Sequence, residues 1–187
     1  MATAKNMVQL LAVGEVDRRL LEEVREELPS YFDIACEILP RSFNPEPCFH
    51  VERQQYHSSE ILQRMRSIAD GAWRVLGITP VDLYIPILKY VFGEAQVGGP
   101  CALVSFHRLR QEYYGLDPND EILAARVVKE SIHELGHTLG LKHCQDYRCA
   151  MASAHAVEWI DLREASLCNM CRSQAEYVIG EQTPRPA

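Results

Sequence analysis

Three histidines and one glutamate stand at intervals that suit a metal ion: His133, Glu134, His137 and His143. His137 follows His133 by four residues, so on a helix the two side chains project roughly 40° apart and can meet one ion without bending the backbone. Glu134 lies one step along, close to that ion but out of line with it. Its carboxylate is better placed to take a proton from metal-bound water than to serve as a third ligand on the same face. Gly140 admits the left-handed conformation of a sharp helix exit, and His143, three residues later, can complete ligation by three nitrogens. Zinc held in this way keeps its fourth position for water and lowers that water's pKa to about 7, which is a catalytic arrangement. The plainer reading, core histidines on an amphipathic helix, requires partners for every ring nitrogen.

Sulfur supplies the second group. The chain has seven cysteines in 187 residues, an odd number that complete internal pairing cannot satisfy. Residues 1–11 lack the basic region, uninterrupted apolar stretch and cleavage signal of a secretory leader, so the expectation is a cytoplasmic protein with reduced thiols. Cys36, Cys48 and Cys101 are scattered, as buried structural thiols are. Cys144, Cys149, Cys168 and Cys171 form two closely spaced pairs, and four thiolates suit a closed, tetrahedral, structural zinc. Two disulfides and a nucleic-acid-binding zinc module are the alternatives. Charge opposes the latter: the chain carries a net −7, and acids outnumber bases six to four from residue 144 to residue 187, with nothing resembling a phosphate-binding face. No run of about 18 apolar residues exists to span a membrane. His50, His57, His107 and His155 show no ligand spacing and read as surface or satisfied core histidines.

These groups need a scaffold. With 47% apolar and 24% charged residues, the chain has the balance of a soluble globular protein and the length for one domain plus a small appendage. Residues 7–13 read as a buried strand, 15–28 as an amphipathic helix stopped by Pro29, and 31–39 as a second strand. Residues 40–57 hold three prolines and no periodicity, a loop of unusual length. Ser58 or Ser59 can cap a helix reaching Leu76. Strands follow at 81–88, 92–97 and 101–106, with Pro86 placing the first at an edge or bulge. The order βαβαβ followed by extra strands suggests a mixed sheet with helices against it. Residues 108–116 read as irregular. Asp117 can cap the metal-binding helix, with Pro118 in its first position and Asp120 and Glu121 at the positive end of the dipole. Ala125, Val128, Ile132, Leu135 and Leu139 form its buried stripe. A last helix opens near Cys168, and residues 181–187 read as frayed.

The segment His133-Glu134-Leu135-Gly136-His137-Thr138-Leu139-Gly140-Leu141-Lys142-His143 resembles the HExxHxxGxxH signature of the metzincins. Those enzymes place a methionine in a tight turn beneath the zinc, and Met151 is the match. Cys144 directly after the third histidine, Cys149-Ala150-Met151, and Cys168-Asn169-Met170-Cys171 extend the likeness to the archaemetzincins, a family with a catalytic zinc and an adjacent four-cysteine zinc. The likeness covers residues 130–171. It implies an α/β, metzincin-like fold: a mixed twisted sheet with an active-site helix and a short zinc-stapled C-terminal subdomain, divided as residues 1–143 and 144–187. It implies two zinc ions per chain, a catalytic one on His133, His137 and His143 and a structural one on Cys144, Cys149, Cys168 and Cys171. The expected reaction is hydrolysis of peptide bonds in a peptide or protein substrate by zinc-bound water, with Glu134 as general base. A zinc-stabilised binding protein with a blocked or vestigial protease site is the alternative. In metzincins the strand beside the active-site helix lies antiparallel to the bound peptide, and residues 101–106 are either that edge or an ordinary strand. Neither a nucleic-acid nor a membrane partner is expected, and the chain is expected to act as a monomer.

Overall fold

A computed structural model describes residues 6–69 and 71–181. The frayed tail beyond residue 181 and the first five residues of the leader reading lie outside them. Strand β1 (Met7–Val13) is covered on both faces: Val8 and Leu10 join one core, Leu11 and Val13 the other. Helix α1 (Arg18–Glu27) is capped by Asp17, whose side chain accepts from the Arg19 N–H, and buries Leu20, Leu21 and Val24. Pro29 does not end the helical path. It opens a short helix α2 (Pro29–Phe32), a first-turn position where no N–H is needed. Strand β2 (Ala35–Phe43) therefore starts later than the sequence pattern indicates, and it runs on through Pro40. The register against β1 shifts there, from Leu10 opposite Ile38 to Ala12 opposite Ser42, and β2 is an edge strand, which tolerates a proline.

The rest of the long prolyl segment is structured. A 3-10 turn at Glu46–Cys48 leads into β3 (Phe49–His50) and β4 (Gln55–His57). Helix α3 (Ser58–Met65) is capped not by a serine but by His57, whose Nδ1 accepts from the Glu60 N–H. It ends eleven residues short of the expected Leu76. The chain from Arg74 to Thr79 is instead β5, buried at all six positions. A strand covered on both faces has no polar alternation, so its apolar run merges with the periodic stretch before it. β6 (Leu83–Tyr84), β7 (Gly93–Ala95) and β8 (Cys101–Ser105) complete the strands.

The main sheet has the order β2-β1-β5-β8-β7, with β7 antiparallel to four parallel neighbours; β3, β4 and β6 form a smaller sheet. This is the mixed sheet expected. The edge beside the active-site helix, however, is β7 rather than residues 101–106, which lie inside the sheet as β8. Helix α4 (Asp120–Thr138) crosses β8, β7 and β5. Asn119, not Asp117, caps it by accepting from the Ile122 N–H at 2.9 Å. Ala125 is exposed, and Val127 joins Val128, Ile132, Leu135 and Leu139 in the buried stripe. A six-residue helix with no marked period, α5 (Val157–Leu162), precedes the expected last helix, α6 (Asn169–Glu181). One core lies between the sheet and α1, α4 and the C-terminal segment; the other lies beneath α3.

Candidate active site and thiolate cluster

The end of α4 builds the site. Leu139 is the last helical cap, and Gly140 follows at φ +83°, the left-handed region that glycine enters freely. Its N–H donates to His137 O at 2.9 Å, and the Leu141 N–H donates to Gly136 O at 3.0 Å. These two bonds are a Schellman motif, which closes the last carbonyls and turns the chain back. His143 is thereby brought to His133 and His137, and the ligand nitrogens of all three lie within 4.8 Å of one another.

The imidazoles are oriented as well as gathered. His133 Nδ1 lies 2.8 Å from Ala150 O, and His137 Nδ1 lies 2.8 Å from Leu141 O. A carbonyl only accepts, so each ring donates from Nδ1 and keeps the lone pair on Nε2. Those two Nε2 atoms face each other across 3.1 Å, with no proton to share. A cation between them resolves the repulsion: tetrahedral zinc sets nitrogen ligands roughly 3.3 Å apart. Burial holds all three histidines below the usual imidazole range, with the Arg163 charge acting in the same direction on each, which keeps them neutral as metal ligation requires.

The buried Met151 packs against α4 at Gly136. A side chain at Gly136 would overlap Met151 Sδ, so the glycine makes room for the thioether. The turn that carries Met151 is closed by the Ala152 N–H donating to Cys149 O at 2.9 Å, and it is held to the start of the thiolate cluster by the Cys144 N–H donating to Met151 O at 2.9 Å. Cys144, Cys149, Cys168 and Cys171 converge with their sulfurs within 4.8 Å of one another. Cys144 Sγ and Cys168 Sγ are 3.8 Å apart, far beyond a disulfide at about 2.05 Å and close to the roughly 3.8 Å that tetrahedral zinc imposes on sulfur ligands. Cys168 donates its N–H to Cys149 Sγ at 3.3 Å. Its own thiol is lowered by the Cys171 N–H, the kind of bond that favours thiolate.

A cleft of about 610 Å³ opens over the histidines, walled by β7 and by the segment preceding it on one side and by Ser153, Ala154 and His155 on the other. Glu134 reaches it from α4 and is 5% exposed. Burial, then the nearby carboxylates Glu130 and Glu94, push it well above the usual carboxylate range, which suits a proton-transfer group. Glu94 itself is held by the Ser58 and Ser59 hydroxyls. Tyr90 OH donates to His155 O at 2.7 Å, tying the two walls together. His155 is exposed as expected, but it stands on the rim of the cleft; His107, His57 and His50 are engaged elsewhere.

Four cleft residues were not singled out from the sequence. Glu130 lies one helical turn before His133, and a carboxylate at that spacing on the buried face is a readable signal. Gly93 interrupts a short strand, a sign of close approach. Glu94 and Arg163 carry no such mark.

The profile of peptidase family M54 matches residues 10–176. The archaemetzincin of Methanocaldococcus jannaschii is 40% identical over 159 residues, spanning 85% of this chain and 87% of its own. Among solved structures, a zinc-dependent peptidase from Methanocorpusculum labreanum superposes with a TM-score of 0.84 at 28% identity, over 90% of this chain and 99% of its own. The archaemetzincin of Methanopyrus kandleri superposes with a TM-score of 0.81 at 31% identity, over 94% and 97%.

Proposed function

On the premise that the chain belongs to peptidase family M54, the archaemetzincins, we propose that it hydrolyses peptide bonds with His133, His137 and His143 as ligands of a catalytic zinc and Glu134 as general base. The observation that carries this reading is the pair of lone-pair-bearing Nε2 atoms 3.1 Å apart, each fixed by a carbonyl behind its ring. Zinc bound there supplies Lewis acidity toward a carbonyl and toward water, whose pKa it lowers to about 7. Glu134 takes the proton of the attacking water and delivers it to the leaving amine. An extended substrate adds to the free edge of β7 by main-chain hydrogen bonds, which lays its scissile bond across the end of α4.

Cys144, Cys149, Cys168 and Cys171 are proposed to hold a second, structural zinc, supported by their sulfur spacing. Residues 144–187 form the zinc-stapled subdomain of this reading. Its described part shares the core of α4 through Met151, Val157, Ile160 and Leu167, so the thiolate cluster, not a separate core, defines it. All seven cysteines are unpaired, which accords with a cytoplasmic location. No helix among the described residues is long and apolar enough to cross a membrane. The open cleft over the histidines favours hydrolysis over a blocked, purely binding site.

Glu134→Ala tests the assignment. Zinc content should stay at two per chain while cleavage of a peptide library falls about 100-fold or more. An active wild type whose variant cleaves equally well would remove Glu134 from the mechanism.

A further inference from the structure

Arg163 follows α5 and is 3% exposed; it borders the cleft, and its guanidinium lies on the Nδ1 side of His133. Nη1 donates to Ala150 O at 3.2 Å and stands 3.3 Å from His133 Nδ1. Nη2 stands 3.0 Å from Glu130 Oε1, an ion pair by distance though not an aligned hydrogen bond. Glu130 precedes His133 by one helical turn, so Arg163 spans from α4 to the turn carrying Met151 across the back of a single imidazole.

The arginine is itself anchored. The Glu164 N–H donates to Arg148 O at 2.7 Å, and the Ala150 N–H donates to Ser166 O at 2.9 Å, which ties the two segments side by side. Arg126 grips the Asp161 carboxylate with two bonds of 2.8 and 2.7 Å, and Lys129 donates to Ile160 O and Asp161 O. α5 is thus fixed to α4 immediately before Arg163.

Stability alone gives a weak account of this pair. Burying two charges costs desolvation that their attraction often only matches, and apolar replacements of such pairs are frequently neutral or stabilising. Their placement gives a better one. Two N–H donors, from Arg163 and His133, converge on the Ala150 carbonyl, and that carbonyl sets which nitrogen of His133 carries the proton. Groups that orient a metal-binding imidazole from behind typically change metal affinity 10- to 100-fold when lost.

We infer that Arg163 is a positioning residue: held by Glu130, it fixes the Ala150 carbonyl and through it aims His133 Nε2 at the metal. This rests on the zinc reading above. Both charges are removed together in Arg163→Met/Glu130→Met, which leaves no lone charge in the core, and one donor is kept in Arg163→Lys. Each full-length protein is loaded with Co(II). Thiolate charge-transfer bands report the cysteine cluster, d–d bands report the histidine site, and chelator competition measures affinity at the latter. In the double variant the histidine site should weaken about 10- to 100-fold with a shifted d–d spectrum, while thiolate bands and circular dichroism stay unchanged. Arg163→Lys, which keeps the charge but replaces the two-pronged guanidinium with a single ammonium head, should fall between. Wild-type affinity and d–d bands in the double variant overturn the inference; should that variant not fold, the same result in Arg163→Lys overturns it. A wild type whose histidines bind no Co(II) refutes the zinc reading itself and this inference with it.

Discussion

Gly93 on β7 and Glu134 on α4 touch so closely that a methyl group on the glycine would come within 2.7 Å of both Glu134 Cγ and Glu134 Oε1. The same methyl would lie 2.7 Å from the Leu103 carbonyl. The glutamate has room to yield, but the backbone of an interior strand does not. Edge strand and active-site helix therefore meet where only a hydrogen fits, and the position of the proposed base is set by the absence of a side chain.

Gly93→Ala should accordingly displace Glu134 while leaving the histidines alone. Misplacement by about 1 Å costs on the order of 100-fold in rate, so kcat should fall by roughly that factor with zinc content unchanged. Steady-state kinetics beside elemental analysis decide it: a variant with wild-type kcat would mean that the carboxylate is not position-critical.

Gly136 has the corresponding relation with Met151. A methyl at 136 overlaps the sulfur and approaches Met151 Cε at 3.1 Å and Leu141 Cδ1 at 3.3 Å. Gly136→Ala should destabilise the protein by about 1–3 kcal/mol, the usual scale of overpacking. Combined with Met151→Ala, the total loss should be smaller than the sum of the two single losses, since the clash partner is gone. Additive losses in thermal or denaturant unfolding would show that the two residues are not in contact.

The two metal sites should empty in sequence. His143 is exposed at the cleft, whereas Cys149 and Cys171 are buried and their cluster joins the chain after α4 to α6. A mild chelator should remove about one zinc per chain, stop hydrolysis and leave the far-ultraviolet signal nearly intact. Harsher chelation, or Cys168→Ser, should disorder the C-terminal segment and disturb His143 through its neighbour Cys144. Following released zinc, activity and circular dichroism in one titration tests this, and a single concerted step would contradict it.

Thiol chemistry offers a separate check. Burial pushes Cys36 up to about 12 and Cys101 up to about 11, and it raises Cys48 as well. Raised values mean protonated thiols: at pH 8, Cys36 and Cys101 hold roughly one thiolate in a thousand or fewer. Alkylation at pH 8 should therefore be slow at every cysteine of the metal-loaded protein. After complete metal removal, fast labelling should appear at the cluster cysteines Cys144, Cys149, Cys168 and Cys171, since the segment that buries them is then disordered. Mass spectrometry of the labelled peptides would expose the opposite outcome, in which Cys36 or Cys101 reacts first.

The site was more legible than the scaffold. His133, His137 and His143 could be paired on paper because helical spacing and a glycine exit fix their relation within eleven residues, and the cysteines could be grouped by number and compartment. β5 could not be read, since a strand buried on both faces has no alternation to reveal it and a helix stands directly before it. A strand at 92–97 was readable, and β7 lies within it, but its place at the edge was not, because strand order is set by pairings made only in the fold. Arg163 shows the harder limit. Nothing in its neighbours marks it, because its meaning comes from Glu130 and Ala150, which the chain brings to it only after folding.

The thiolate cluster closes with Cys171, on the last helix of the described chain. Synthesis runs from the N-terminus, so the strands that build the cleft, the helix that bears Glu134 and all three histidines leave the ribosome before the sulfurs that brace them. Until α6 has emerged, Cys144 and Cys149 lack their partners, and the turn carrying Met151 is held by its hydrogen bonds and by the packing of Met151. The brace is thus the last part of the described chain to be made, after every residue it steadies.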